Sequence, residues 1–201
     1  MSLGYRFLRW FFHLLYTVLF SAKAYTTENV PLEGGVVVAA NHLSNWDPML
    51  ISCFVDRPIA YMAKQELFDV PILGRALYTL HSFPVRRGIG DRQAVRMAVG
   101  KLQRGECMGL FPEGHRSKTG ELQKAANGAA LIAAKAKVPV IPTAVINTNR
   151  IFKAGSFFPA IKVIYGKPVY YKSDKIDKAE LQRFTAEIMQ QIQNLINSYK
   201  T

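Results

Sequence analysis

The chain is expected to fold as an α/β domain, a mostly parallel sheet flanked by helices, with an N-terminal membrane-interface helix. Three observations predict this. Short β-branched apolar runs alternate with helix-compatible stretches over residues 35–165. Turns rich in Gly and Pro separate them. A length of 201 residues suits one such domain with a small appended element. We therefore divide the chain into residues 1–23, an interfacial anchoring helix, and residues 24–201, the α/β domain.

Residues 3–22 come first, and their uninterrupted apolar part is shorter than the roughly 20 residues that span a bilayer. Arg6, Arg9 and His13 recur on one helical face. Phe7, Trp10, Phe11, Leu14, Leu15, Val18 and Leu19 occupy the others. A basic stripe on an aromatic-rich apolar body describes a helix lying in the membrane interface. The alternatives are a signal peptide cleaved at Ala22-Lys23-Ala24 and a buried packing helix. A signal-peptide core seldom carries a histidine or so many aromatics, which favours the interfacial reading.

Residues 23–34 read as a polar connection punctuated by Pro31 and Gly34-Gly35. Gly35-Val36-Val37-Val38-Ala39 reads as a buried strand. Pro48 then opens a helix-compatible run, with Asp47 as a cap-type residue before it. A short strand is expected at Ile59-Ala60-Tyr61-Met62 and a turn-to-helix passage at Pro71-Ile72-Leu73-Gly74. Val95, Ala98, Val99 and Leu102 place a helix over residues 92–104, stopped by Gly105. Cys107-Met108-Gly109-Leu110-Phe111 is a buried strand. Residues 122–137 are alanine-rich and helical despite Gly128. Residues 138–146 form a strand whose two prolines suggest an edge or an irregular start. Residues 161–165 are the last clear strand, and Leu181, Phe184, Ile188, Ile192, Leu195 and Tyr199 mark an amphipathic C-terminal helix.

Composition narrows the function. The formal net charge of +12 calls for an anionic neighbour, whether nucleic acid, anionic lipid or a phosphorylated substrate. The aromatic–basic patterning of a nucleic-acid platform and zinc-finger spacing are both missing, so nucleic acid is not an expected partner. Cys53 and Cys107 lie in apolar surroundings and read as buried thiols in a reducing compartment. No Cys/His cluster has metal-ligand spacing, and neither a metal nor a cofactor is expected.

Four polar turns at expected strand ends carry chemistry. They centre on His42 with Asp47, on Lys64, on Arg86-Arg87, and on Glu113 to Arg116. His42 and Asp47 are five positions apart, which on one straight helix would set them about 140° apart. A strand–turn–helix path lifts that restriction, so the carboxylate can fix one imidazole nitrogen and leave the other as a base. The cations and Gly114 suit an anion held nearby. No Ser or Cys sits in a nucleophile elbow, which makes direct acyl transfer to a hydroxyl the simpler scheme. Taken singly, each turn has an ordinary reading: a loop histidine, a helix cap, solvated cations or a plain turn.

In order and separation these turns resemble the glycerolipid acyltransferase family. Asn41-His42-Leu43-Ser44-Asn45-Trp46-Asp47-Pro48 is similar to its His-x-x-x-x-Asp motif. Phe83-Pro84-Val85-Arg86-Arg87 resembles the second motif, Phe111-Pro112-Glu113-Gly114-His115-Arg116-Ser117 the third, and Val138-Pro139-Val140-Ile141-Pro142 the fourth. Lys64-Gln65-Glu66-Leu67-Phe68 with Pro71 and Gly74 resembles a feature of the bacterial 1-acylglycerol-3-phosphate acyltransferases. The resemblance implies that His42 is the general base and Asp47 its orienter. It implies that Lys64, Arg86, Arg87, Glu113, Gly114 and Arg116 bind the acceptor. Implied partners are lysophosphatidic acid, an acyl donor (acyl carrier protein thioester or acyl-CoA) and the anionic membrane surface, at the cytoplasmic face of the cell membrane. Arg86 and His115 depart from the family's usual residues and bear on acceptor identity. The alternatives are an O-acyltransferase for another lipid acceptor and a non-catalytic module that binds anionic membranes.

Overall fold

A computed structural model describes residues 1–85, 92–153, 155 and 157–199. Its centre is β2 (Val36–Ala40), buried at every position. Val36, Val38 and Ala40 point into one core layer and Val37 and Ala39 into the other, as strand alternation requires. The other strands are β1 (Lys23–Tyr25), β3 (Ile59–Lys64), β4 (Phe83–Val85), β5 (Cys107–Leu110), β6 (Val140–Ile146) and β7 (Lys162–Tyr165). They form one sheet in the order β1-β7-β6-β2-β5-β3-β4. All neighbours are parallel except β6 and β7, so the sheet is mostly parallel, as expected.

Helices cover both faces. On one lie α1 (Leu3–Phe20) and α2 (Asp47–Cys53), packed over Val36, Val38, Ile141 and Val163. On the other lie α5 (Arg92–Gln103), α6 (Gly128–Ala136) and α7 (Lys178–Tyr199), packed over Val37, Ala39 and Met108. Two helices, α3 (Gln65–Phe68) and α4 (Pro71–Thr79), follow β3.

Three elements differ from expectation. The connection at residues 23–34 contains β1, a three-residue strand that pairs with β7. Nothing periodic announces so short a strand; tertiary pairing makes it. The helix expected over 122–137 begins only at Gly128. Upstream, Gln123 N–H donates to Glu113 and Ala126 N–H to Pro112, which ties that stretch to another loop. Finally, β6 is an interior strand. Pro142 lies opposite Gly166, just past the end of β7, where only its carbonyl is used, accepting Gly166 N–H at 2.7 Å. The missing proline N–H leaves out one reciprocal bond, at the point where β7 has just ended.

Helix α1 is docked on the domain through buried Tyr5, Tyr16 and Phe20. Arg9 also turns inward, donating to the Cys53 carbonyl at 3.2 Å and pairing with Asp56 at 2.6 Å. Leu3, Phe7, Trp10, Phe11, Leu14, Val18 and Leu19 remain exposed. An open cleft of about 940 Å³ runs beside Leu3, Phe7, Trp10, Arg6 and His13. Among the described residues, no helix is long and apolar enough to cross a membrane.

Candidate active site

The parallel strands β2, β5, β6, β3 and β4 all deliver their carboxyl ends to one edge of the sheet, which is where such folds collect polar turns. Leaving β2, the chain is first held by Asn41. Its buried amide takes the Val145 N–H at 2.7 Å and donates to the Val145 carbonyl at 2.9 Å, extending the β2–β6 ladder by one side chain. The next residue, His42, is thereby turned out of the sheet.

His42 and Asp47 meet. Nδ1 of His42 lies 2.8 Å from Asp47 Oδ2, and since a carboxylate only accepts, Nδ1 carries the proton. Asp47 is 0% exposed. Its Oδ2 also accepts the Leu43 and Ser44 N–H groups at 2.7 and 2.8 Å, and its Oδ1 accepts the Thr148 hydroxyl at 2.5 Å. Sequence placed Asp47 as the cap before α2; it is instead the first helical residue, with Trp46 as the cap. Its carboxylate folds back onto the turn that precedes it. Four donors thus converge on one buried carboxylate and fix its position against the imidazole.

The His42 ring is stacked on Phe111, with centroids 4.0 Å apart and planes at 16°. Phe111 in turn stacks on Tyr61 at 6.1 Å. Gly109 permits this layer: a Cβ there would lie 2.1 Å from the Tyr61 ring. The His42 side chain is 14% exposed, and Nε2 makes no hydrogen bond to the described residues. One face is thus covered and one nitrogen pinned, while the other nitrogen is free to take a proton.

The third-motif loop grips the backbone of the same residue. Glu113 Oε1 accepts the His42 N–H at 2.8 Å, and the Ser117 N–H donates to the His42 carbonyl at 2.7 Å. Glu113 Oε2 accepts the Gln123 N–H at 2.8 Å. Glu113 is only 4% exposed, and burial pushes its carboxyl above the usual range against the pull of those two N–H groups. Both of its oxygens are engaged in holding the loop to the His42 turn. Gly114 beside it adopts φ 72°, a conformation that favours glycine, and the exposed His115 and Arg116 follow.

Two of the expected acceptor-binding cations fall among the described residues. Lys64 ends β3 and is exposed, as is Arg116. Arg86 and Arg87 lie outside the described residues. Among the described residues, no three His, Cys, Asp or Glu side chains converge as a metal ion would need. Cys53 and Cys107 are free and buried, as expected, and burial pushes the Cys107 thiol up to about 12. Neither offers a nucleophile.

Sequence reading missed Thr148 and the supporting role of Asn41. Thr148 sits in a helical turn after β6, 101 residues from Asp47, and no local spacing connects them. It also missed that α1 braces the site: the Tyr16 hydroxyl donates to the Trp46 carbonyl at 2.9 Å, one residue before Asp47.

The chain is similar to several known proteins. Residues 21–146 match the Acyltransferase family. The 1-acyl-sn-glycerol-3-phosphate acyltransferase of Bacillus subtilis is 32% identical over 182 residues, covering 87% of this chain and 88% of that protein. The enzyme of the same name from Borreliella burgdorferi is 27% identical, covering 87% of this chain and 71% of its own. The crystal structure of the 1-acyl-sn-glycerophosphate acyltransferase PlsC from Thermotoga maritima superposes with a TM-score of 0.78 at 26% identity, covering 98% of this chain and 80% of that one. On the family match and the Bacillus subtilis relative, this chain belongs to the acyltransferase family.

Proposed function

We propose that the protein transfers a fatty acyl group from an acyl thioester to the free hydroxyl of 1-acylglycerol-3-phosphate, giving phosphatidic acid. The observation that carries this reading is the His42–Asp47 pair with Nε2 open at the sheet edge. The printed names of the relatives supply the acceptor. Nε2 removes the hydroxyl proton as the oxygen attacks the thioester carbonyl. Asp47 stabilises the imidazolium that results. When the tetrahedral intermediate collapses, the C–S bond breaks and Nε2–H returns the proton to the departing thiolate. No acyl-enzyme is needed.

In this reading Lys64, Arg86, Arg87 and Arg116 attract the acceptor phosphate, and Gly114 lets backbone approach it. Glu113 acts on the acceptor only through the loop that it holds. The exposed apolar side of α1 lies in the cytoplasmic leaflet, so the enzyme works as a peripheral membrane protein.

The test is transfer of a labelled acyl group to lysophosphatidic acid, with acyl-CoA and acyl carrier protein thioesters in parallel. Wild-type protein turns over. His42→Ala loses about 10³-fold or more while still binding liposomes. Equal rates with a monoacylglycerol acceptor lacking the phosphate would reject the acceptor assignment. Substantial turnover by His42→Ala would reject the general base.

A further inference from the structure

Beyond Thr148 the chain carries three phenylalanines that the core does not absorb. Phe152, Phe157 and Phe158 are 49, 61 and 56% exposed. Their rings contact one another, with centroids 6.1 to 6.3 Å apart, and Phe152 N–H donates to the Phe157 carbonyl at 3.2 Å, closing the loop. Phe152 is held at φ 56°, left-handed for a bulky residue, and presents its ring to the cluster. A shared apolar patch of this kind in water signals a partner.

Position and charge say which one. Phe20, at the carboxyl end of α1, contacts Phe152 at 5.7 Å and Phe158 at 5.8 Å. The patch thus rests on the buried carboxyl end of the helix whose other side exposes Phe11, Leu14, Val18 and Leu19. Trp46, next to Asp47, contacts Phe152 at 6.2 Å, so the patch lies beside the catalytic turn. Arg150 and Lys153 flank it, exposed and without ion pairs to the described residues. Residues 122–173 hold eight lysines and arginines and no aspartate or glutamate. Aromatic side chains bordered by cations, with no carboxylate to repel phosphate, fit the headgroup region of an anionic bilayer.

We propose that the loop bearing Phe152, Phe157 and Phe158 inserts into an anionic bilayer as a second contact beside α1, setting the mouth of the His42 site against the lipid. This rests on the interfacial placement of α1. It adds that anchoring is two-point, at the helix and at the loop after β6.

The experiment places an environment-sensitive nitrobenzoxadiazole label on Phe157→Cys or on Trp10→Cys of the full chain. Buried Cys53 and Cys107 serve as unreactive background, checked on the unsubstituted protein. With vesicles of phosphatidylcholine containing about one third phosphatidylglycerol, both labels are expected to shift to the blue and brighten. Vesicles of phosphatidylcholine alone should give a weaker response. A shift at position 10 with none at 157 overturns the proposal. No shift at either overturns it together with the interfacial reading of α1. A shift at 157 that follows protein concentration without vesicles assigns the patch to a second copy of the chain, and also overturns it.

Independently, Phe157→Ser with Phe158→Ser should lower vesicle partitioning about tenfold. It should leave turnover of a short-chain, monomeric acceptor unchanged. Undiminished partitioning would overturn the proposal, while absent turnover in the unsubstituted protein would count only against the proposed reaction.

Discussion

His42 and Lys64 stand at the carboxyl ends of strands in one sheet, yet they are held in opposite ways. His42 is bound through Nδ1 to Asp47, through its N–H to Glu113, through its carbonyl to Ser117, and through its ring to Phe111. Lys64 and Arg116 are exposed, and their side chains make no hydrogen bond or ion pair to the described residues. The contrast fits the two tasks proposed for them. A general base must meet a proton within a few tenths of an ångström, so its geometry is fixed in advance. A cation that attracts a phosphate acts over a longer range and can adjust its stem. In the proposed reaction, rigidity is concentrated where bonds change and withheld where a headgroup is gathered in.

Substitutions can break that contrast or sharpen it. Asp47→Asn should have the largest effect among the supports of His42. The amide keeps the shape but stabilises no imidazolium, and kcat should fall about 10³-fold with the acceptor KM little changed. An equal rise in KM would show that Asp47 contacts substrate.

Glu113→Gln comes next. One carboxylate oxygen becomes an NH₂ facing either His42 N–H or Gln123 N–H, which loosens the loop. We expect kcat to fall by roughly ten- to a hundredfold and stability by about 1–3 kcal/mol. Denaturant unfolding and steady-state kinetics would check both, and a change confined to acceptor KM would make Glu113 a binding residue.

Thr148→Val removes one charge-assisted bond to Asp47, at roughly 1.5–3 kcal/mol, so kcat should drop about tenfold. Thr148→Ser should restore it, whereas a purely steric role would leave the isosteric Thr148→Val at full kcat.

The smallest effect belongs to the exposed cations. Arg116→Ala should raise the acceptor KM several-fold, less so at high salt, and leave kcat nearly untouched. A collapse of kcat would erase the distinction between the two regions.

The rigid region was only half legible in the sequence. His42 and Asp47 were readable because their spacing fell on a strand–turn–helix passage, where five residues can bring two side chains together. The sheet was readable from runs such as Val36-Val37-Val38, buried on both faces. Thr148 and the Asn41–Val145 pair were not, because their partners lie 101 and 104 residues away and neither residue type advertises a partner. Glu113 was recognised as a motif residue but read as facing the acceptor; its carboxylate is buried between two backbone N–H groups, which sequence cannot display. In α1 the periodicity set Arg9 on a basic stripe, and the Asp56 pairing that draws it inward is equally non-local.

That non-locality has a consequence for how the molecule is made. β2 is wedged between β5 and β6, so both flanking strands are synthesised after it, and Asn41 waits a further 104 residues for Val145. At ribosomal speeds this is a delay on the order of ten seconds. Until β5 follows, a fully apolar strand has two open edges, and until β6 follows it still has one, the condition most prone to wrong pairing. Folding should accordingly be slow and dependent on protection of the nascent chain. The histidine and aspartate, neighbours from the moment they are translated, become a working pair only when one of the last strands of the sheet closes over them.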